Sequence, residues 1–222
     1  MSGIPFDLQM LNVLAALLLL LSFSMLAQRR IVTLVNLLAT QGALLFLATV
    51  LLAWRTGESH LYLSAALTLA LKVIGLPWLL HRLIRRLNVY WDSEPLINLS
   101  GTMLIGLVIV IFSFGLAQPI SALASTATRS TIGIAIAVIL LAFLTMITRR
   151  KAMSQVVGFL SLENGLFFGA MSTTYGMPMV VELGVALDVL VAMLVLGVFF
   201  FQIREQFDSL DLHHLEALKE EE

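Results

Sequence analysis

The sequence contains no cysteine, and charged residues make up only 12% of its 222 positions. The lack of cysteine excludes disulfide bonds, thiolate metal sites, iron–sulfur ligation and a cysteine nucleophile. Four scattered histidines provide no metal-ligand spacing, and the chain has neither a Walker loop nor a GxGxxG motif. A net charge of −1 without a basic run gives no signature of nucleic-acid binding. The sequence therefore predicts a protein with no cofactor, no metal and no catalytic centre of its own.

Apolar residues are abundant instead, at 59% of the chain against roughly 45–50% in average soluble domains. A transmembrane helix needs about 20 consecutive apolar residues. Seven stretches meet that length, and they lie at about 7–27, 31–53, 61–80, 98–117, 131–148, 153–173 and 178–203. The sequence thus predicts an all-α integral membrane protein with seven transmembrane helices, in contact with the lipid bilayer.

The basic residues predict the orientation of these spans. Of the 13 Lys and Arg residues, Lys72 lies inside a span and only Arg55 and Arg129 fall on one side. The other ten fall on the opposite side: Arg29, Arg30, Arg82, Arg85, Arg86, Arg149, Arg150, Lys151, Arg204 and Lys219. Because cytoplasmic loops carry the excess of positive charge, we expect the N-terminus outside and the C-terminus in the cytoplasm.

Two parts of the chain resemble one another. LVNLLATQGALLFLA at 34–48 aligns without gaps with VVGFLSLENGLFFGA at 156–170, which places Gln41 on Glu163 and Gly42 on Asn164. The alignment indicates a parallel 3+1+3 repeat. It divides the chain into a first three-helix repeat with a cytoplasmic loop (1–97), a linker helix with an outer loop (98–130), a second three-helix repeat (131–204) and an acidic cytoplasmic tail (205–222).

Four ionisable residues fall within the predicted spans: Lys72, Glu163, Glu182 and Asp188. Ionised groups are costly in hydrocarbon and commonly mark an ion pathway, although a structural hydrogen bond is the alternative for each of them. Counting 1.5 Å per residue places Lys72, Glu163 and Asp188 near the midplane and Glu182 nearer the outer end. Lys72 and Asp188 occupy equivalent positions of the repeat, so we expect them to be two stations of one lateral path, with His81 as a candidate for proton entry from the cytoplasm.

A proline follows the buried lysine closely. Pro77 has no N–H group to donate and crowds the preceding turn, which leaves the carbonyl of Val73 without its helical donor. The sequence therefore predicts that the helix opens or kinks beside Lys72, for either function or packing.

The whole chain resembles the hydrogenase-4 component E family, through LKVIGLPWLLHRLIRRL at 71–87 and SLENGLFFGA at 161–170. The last three spans are also similar to NuoK-type subunits of complex I and MrpC-type antiporter subunits. These have one carboxylate on the second span, which Glu163 matches, and another on the third, for which both Asp188 and Glu182 remain open. The resemblance implies a subunit of a hydrogenase or formate hydrogenlyase complex in a bacterial or archaeal cytoplasmic membrane. The partners implied are antiporter-like and other membrane subunits and, indirectly, a peripheral hydrogenase arm.

Two other functions remain open at this point, namely a free-standing transporter and a scaffold that only joins larger subunits. A transporter of polar solutes needs a midplane pocket of amides, hydroxyls and aromatics, whereas the polar groups here are mainly Lys72, Gln41, Glu163, Asn164 and Asp188. This set suits ions better, either H⁺ or Na⁺. A scaffold gives no reason for three ionisable groups at one depth.

Overall fold

The structure is a computed structural model that describes residues 6–57, 59–87, 90, 97–122 and 129–174, together with helical positions 184, 187, 190, 193 and 197. Glu182, Asp188, most of the seventh predicted span and the acidic tail lie outside the described residues. The chain divides into two units, Met1–Asp188 and Val189–Glu222. In the second unit, the described positions are Leu190, Met193 and Gly197, each of them helical.

All secondary-structure elements of the described residues are helices. In chain order they are α1 (Phe6–Ala27), α2 (Ile31–Thr56), α3 (Ser59–Thr68), a π-helix (Leu69–Gly75), α4 (Leu76–Leu87), α5 (Leu99–Ala122), α6 (Arg129–Thr148) and α7 (Ala152–Thr174). Between α2 and α3, Gly57 adopts a left-handed conformation with φ of 71° and donates its N–H to the carbonyl of Ala53. This glycine ends α2, because the left-handed region is unfavourable for residues with a Cβ atom.

Within the described residues, five stretches are long and apolar enough to cross a membrane: Gln9–Ala27, Ile31–Thr56, Leu61–Arg86, Leu99–Pro119 and Thr131–Thr148. They match the first five predicted spans, and the third joins α3, the π-helix and α4 into one continuous stretch. Helix α7 follows the sixth prediction closely and is 23 residues long, although Glu163 and Asn164 near its middle make it less apolar. The chain is thus an integral membrane protein with an all-helical fold.

The helices pack in a layout that puts α2 and α6 at its centre. Helix α2 contacts α1, α3, the π-helix, α4 and α7, while α6 contacts α1, α5 and α7. The contact between α6 and α7 is close because Gly165 faces the partner helix, and a Cβ atom there would lie 2.9 Å from side-chain atoms of Val138 and Ile139. Small residues allow such an approach between membrane helices.

Helix α5 lies at the edge of this arrangement. It packs on α6 and α1, and its outer side exposes large apolar side chains such as Leu107, Ile111 and Phe112. In a membrane protein such a surface faces lipid or a neighbouring subunit, because neither requires polar side chains.

Candidate functional site

Lys72 lies in the π-helix, four residues before the start of α4. The N–H of Leu76 donates to the carbonyl of Leu71, five residues back, which is the wider hydrogen bond of a π-helix. Pro77 follows at once and lacks an N–H donor, so the helix opens where the sequence predicts it to open. The wide turn presents Lys72 to α2 and α7, and only 3% of this residue is exposed.

The ammonium group of Lys72 forms a buried ion pair with Glu163 on α7. Nζ lies 2.5 Å from Oε2 of Glu163, and the two side chains are 3% and 2% exposed. The same Nζ donates to Oδ1 of Asn164 at 2.9 Å and lies 5.0 Å from the centre of the Phe167 ring. One turn of α7 therefore supplies a charge, an amide and an aromatic face to a single cation.

Hydrogen bonds continue from Asn164 to two further helices. Asn164 Nδ2 donates to Oε1 of Gln41 on α2 at 3.3 Å, and Gln41 Nε2 donates to Oγ of Ser22 on α1 at 2.8 Å. The Ser22 hydroxyl in turn donates to the carbonyl of Leu18 at 2.8 Å. We call Glu163, Lys72, Asn164, Gln41 and Ser22 the buried polar chain, since each is at most 3% exposed.

The buried polar chain runs across helices rather than along one of them. Gln41 is ten residues beyond the start of α2 and Glu163 eleven beyond the start of α7, so both lie about 15 Å from the starts of their helices. Ser22 is only five residues from the end of α1, about 8 Å along its axis. The chain therefore links the middle of the helical layer to a position closer to the side of the Arg29–Arg30 and Arg149–Arg150 doublets.

A glycine on α2 makes room for the lysine. A Cβ atom at Gly42 would lie 3.0 Å from Cβ of Lys72 and 3.1 Å from its carbonyl carbon and oxygen. Nine in ten real Cβ contacts are longer than this, so a side chain at position 42 would push the π-helix away from α2. Gly42 follows Gln41 directly. The same turn of α2 therefore provides the amide that bonds Asn164 and Ser22 and the space that lets the π-helix lie close to α2.

The surroundings of the buried polar chain are apolar. Leu18, Leu45, Val138 and Phe168 are each at most 1% exposed and belong to one hydrophobic cluster in this part of the protein. Charges in such a medium interact strongly, and each polar group needs a partner. The arrangement places one cation and one carboxylate side by side in this medium and joins them through two amides to the hydroxyl of Ser22.

The structure brings together some predicted site residues and separates others. Lys72 and Glu163 are in direct contact, which depth counting alone does not predict. His81 is half-buried on α4, where its Nδ1 lies 2.8 Å from the carbonyl of Pro77, a contact within its own helix rather than with the buried polar chain. Glu182 and Asp188 lie outside the described residues, and their part in a path stays a prediction.

Sequence reasoning places Gln41 and Asn164 at midplane without assigning them to the site, and it misses Ser22 altogether. A serine is common in membrane helices, where it bonds the carbonyl four residues back, as Ser22 and Ser24 both do. Ser22 differs from Ser24 in being buried, at 2% exposure, and in accepting the hydrogen bond of Gln41. The alignment of Gln41 with Glu163 is the one sequence signal that points to the α2 link.

A second buried polar contact lies at the end of α1. Arg149 is 4% exposed, and its guanidinium donates to the carbonyls of Leu26 at 3.0 Å and Gln28 at 2.5 Å. These carbonyls belong to the end of α1, where helical donors are missing and the helix dipole is negative. Arg149 therefore ties the α6–α7 connection to the end of α1, while its neighbour Arg150 is exposed.

Fold and site together define a membrane protein of several helices with an ion pair enclosed between them. Over 194 residues the chain is 36% identical to "Uncharacterized protein Rv0085" of Mycobacterium tuberculosis, and the match covers 87% of this chain and 88% of that protein. The chain belongs to the same family as that mycobacterial protein.

The chain is also similar to "Hydrogenase-4 component E" of Escherichia coli K12 and of Shigella flexneri, with 26% identity over 186 residues in both cases. These matches cover 84% of this chain and 81% of those proteins. They support, at a greater distance, the resemblance seen in the sequence. No protein-family model matches the chain, and no solved structure matches it.

Proposed function

We propose that this protein is a membrane-arm subunit of a hydrogenase-type complex related to complex I, and that its buried polar chain is part of a proton or Na⁺ path. The carrying observation is the Lys72–Glu163 pair, enclosed at 3% and 2% exposure in the middle of apolar helices. The similarity to hydrogenase-4 component E over most of both chains supports the kind of complex.

The energetic cost of the pair favours an ion path over a purely structural role. Removing two charges from water costs several kcal/mol each, which their mutual attraction recovers only in part, so a buried ion pair is a poor device for stability alone. Replacing a buried ion pair by well-packed apolar side chains is often neutral or stabilising in proteins. An ion path needs these charges at mid-depth, and amides beside them, to move a proton or lower the barrier for a cation.

We further propose that the path lies within seven transmembrane helices arranged as a 3+1+3 repeat. Helices α1 and α6 each end shortly before an arginine doublet, and α2 and α7 begin at residues 31 and 152 after the same short connection. Helix α1 packs on α6 and α2 packs on α7. This pairing supports a parallel 3+1+3 arrangement of seven helices. The distribution of basic residues supports an N-terminus outside. In this proposal Asp188, Glu182 and His81 extend the path beyond the buried polar chain.

The complex is tested by purifying a tagged copy of the protein from its native membranes in mild detergent. We expect a large assembly that contains nickel or iron in other subunits, together with larger membrane subunits. A homogeneous protein that purifies alone, with full recovery from the membrane, would instead identify a free-standing transporter and contradict the proposal.

The path is tested by Glu163→Gln in the same assembly. Glutamine is nearly isosteric and removes only the titratable group, so we expect the complex to assemble while ion uptake by inverted vesicles per turnover falls. Dyes for pH and for Na⁺ distinguish the two ions. Thr49→Val is the matched control, because Thr49 is a fully buried hydroxyl on α2 that bonds Leu45 and Met171 outside the polar chain. Unchanged uptake in Glu163→Gln, or an equal loss in Thr49→Val, would make the pair a structural feature.

A further inference from the structure

Helix α4 presents two different faces. Leu80, Leu83 and Ile84 are at most 6% exposed and pack inward, whereas Trp78 is 61% exposed on the opposite side. The exposed face extends from Trp78 back to Ile74 near the end of the π-helix, which is also 61% exposed. In the other direction it extends to the arginines near the end of α4. In a membrane this face is accessible to lipid or to a neighbouring subunit, because Leu61–Arg86 is one of the stretches long and apolar enough to cross a membrane.

The charged end of this face forms a pocket of about 370 Å³, which is lined by Trp78, His81, Arg82, Arg85 and Arg86. The guanidinium of Arg82 lies 5.4 Å from the centre of the Trp78 ring, which holds it beside the indole. All three arginines are exposed. Glu163 is the only carboxylate among the described side chains and pairs with Lys72, so within that part of the chain no acid neutralises them.

We propose that this pocket binds the phosphodiester headgroup of an anionic phospholipid, whose acyl chain lies along Trp78 and Ile74. Guanidinium groups match phosphate oxygens in geometry and charge, and they do so best as a cluster. A soluble anion would use the arginines alone. The exposed apolar side chains directly below them add a surface for an acyl chain, and tryptophan favours the depth of lipid headgroups.

The positive-inside bias alone accounts for basic residues on this side of the membrane, but it does not require a defined pocket. It predicts an attraction for anionic lipid that depends on total charge and is equal at all basic positions. A headgroup site predicts enrichment at Trp78 that depends on Arg82 and Arg85. The two origins are therefore separable by a measurement local to Trp78.

The experiment uses the full-length protein with Trp54→Phe and Trp91→Phe, which leaves Trp78 as the only one of three tryptophans. It is reconstituted in phosphatidylcholine vesicles that contain increasing fractions of a lipid brominated near the headgroup. In one series the brominated lipid is phosphatidylglycerol, and in the other it is phosphatidylcholine. Quenching of Trp78 fluorescence then reports which lipid lies beside it. We expect phosphatidylglycerol to be preferred by about fivefold or more, since a single basic residue near the surface contributes about that factor.

Arg82→Gln/Arg85→Gln should bring the preference close to one. The control Arg29→Gln/Lys151→Gln removes two exposed charges from the same predicted side, away from the pocket, and should leave the preference intact. Arg82→Lys/Arg85→Lys retains the charge and should keep part of the preference, which separates lost binding from lost folding.

Three results would overturn the proposal. Equal quenching by both lipids in the parent protein would leave the arginine face as a surface for an acidic protein partner. An equal loss in the Arg29/Lys151 control would reduce the effect to total charge. Abolition of the preference by millimolar inorganic phosphate would indicate a site for a soluble anion.

Discussion

Replacing Lys72 with methionine tests whether the ion pair has the energetics that its burial implies. Methionine has a similar length and leaves the carboxylate of Glu163 and Oδ1 of Asn164 without the ammonium donor. Breaking a buried pair by removing one partner costs about 3–5 kcal/mol, because the other charge stays in the apolar interior. For a chain of 222 residues this corresponds to a fall in Tm on the order of 10 °C.

The double variant Lys72→Met/Glu163→Gln removes both charges and should recover most of that loss. Glu163→Gln alone should cost less than Lys72→Met, because the ammonium group keeps two amide oxygens as acceptors, one on the substituted side chain and one on Asn164, together with the Phe167 ring. The double variant should therefore lose much less free energy of unfolding than the sum of the losses in the two single variants.

The assay is thermal unfolding of the purified full-length protein in detergent, followed by circular dichroism and by the fraction that stays monodisperse after heating. Lys151→Met is the control, since Lys151 is exposed and its replacement should change stability by no more than about 0.5 kcal/mol. Strict additivity of the two single variants, or a Tm of Lys72→Met equal to that of Lys151→Met, would refute the reasoning.

Three further predictions address the frame around the pair. Gly42→Ala should destabilise the protein by about 1–3 kcal/mol, because the new Cβ would lie 3.0 Å from Cβ of Lys72. Gly115 has open space around it, so Gly115→Ala should be neutral or stabilising in the same Tm assay. A lower Tm for Gly115→Ala than for Gly42→Ala would contradict the close approach of α2 and the π-helix. Arg149→Met should lower stability by about 2 kcal/mol or more through lost charge-assisted hydrogen bonds, and Arg150→Met should not, so equal Tm values would exclude the capping role. A reporter fused after Arg150 should be cytoplasmic, and a periplasmic signal would invert the proposed topology.

The positions of the helices follow from the sequence because membrane spans depend on a local property, the length of an apolar run. The predicted stretches at 31–53 and 131–148 differ from α2 and α6 by only a few residues at their ends. The opening of the helix beside Lys72 is predictable for a similar reason, since Pro77 acts on the turn that precedes it. Neither prediction requires knowledge of which helices are neighbours.

The contacts of the site depend on that missing knowledge. Depth counting places Lys72 and Glu163 at one level, but equal depth is compatible with any separation in the membrane plane. Whether they touch depends on how far α2 lets the π-helix approach α7, which is set by Gly42 and by the rotation of each helix. The sequence also gives no weight to Ser22, whose partner is chosen by tertiary packing.

Helix α2 explains why the site is lateral. It contacts α1, the π-helix and α7, so a polar group on it can reach three neighbouring helices. Gln41 uses this position, since its amide has both an acceptor and donors and can join Asn164 on one side to Ser22 on the other. A glutamate at position 41 would accept only and would add a second negative charge beside Glu163. The amide of Gln41 and the carboxylate of Glu163 therefore have different tasks: Glu163 balances the charge of Lys72, and Gln41 connects that balanced pair to α1.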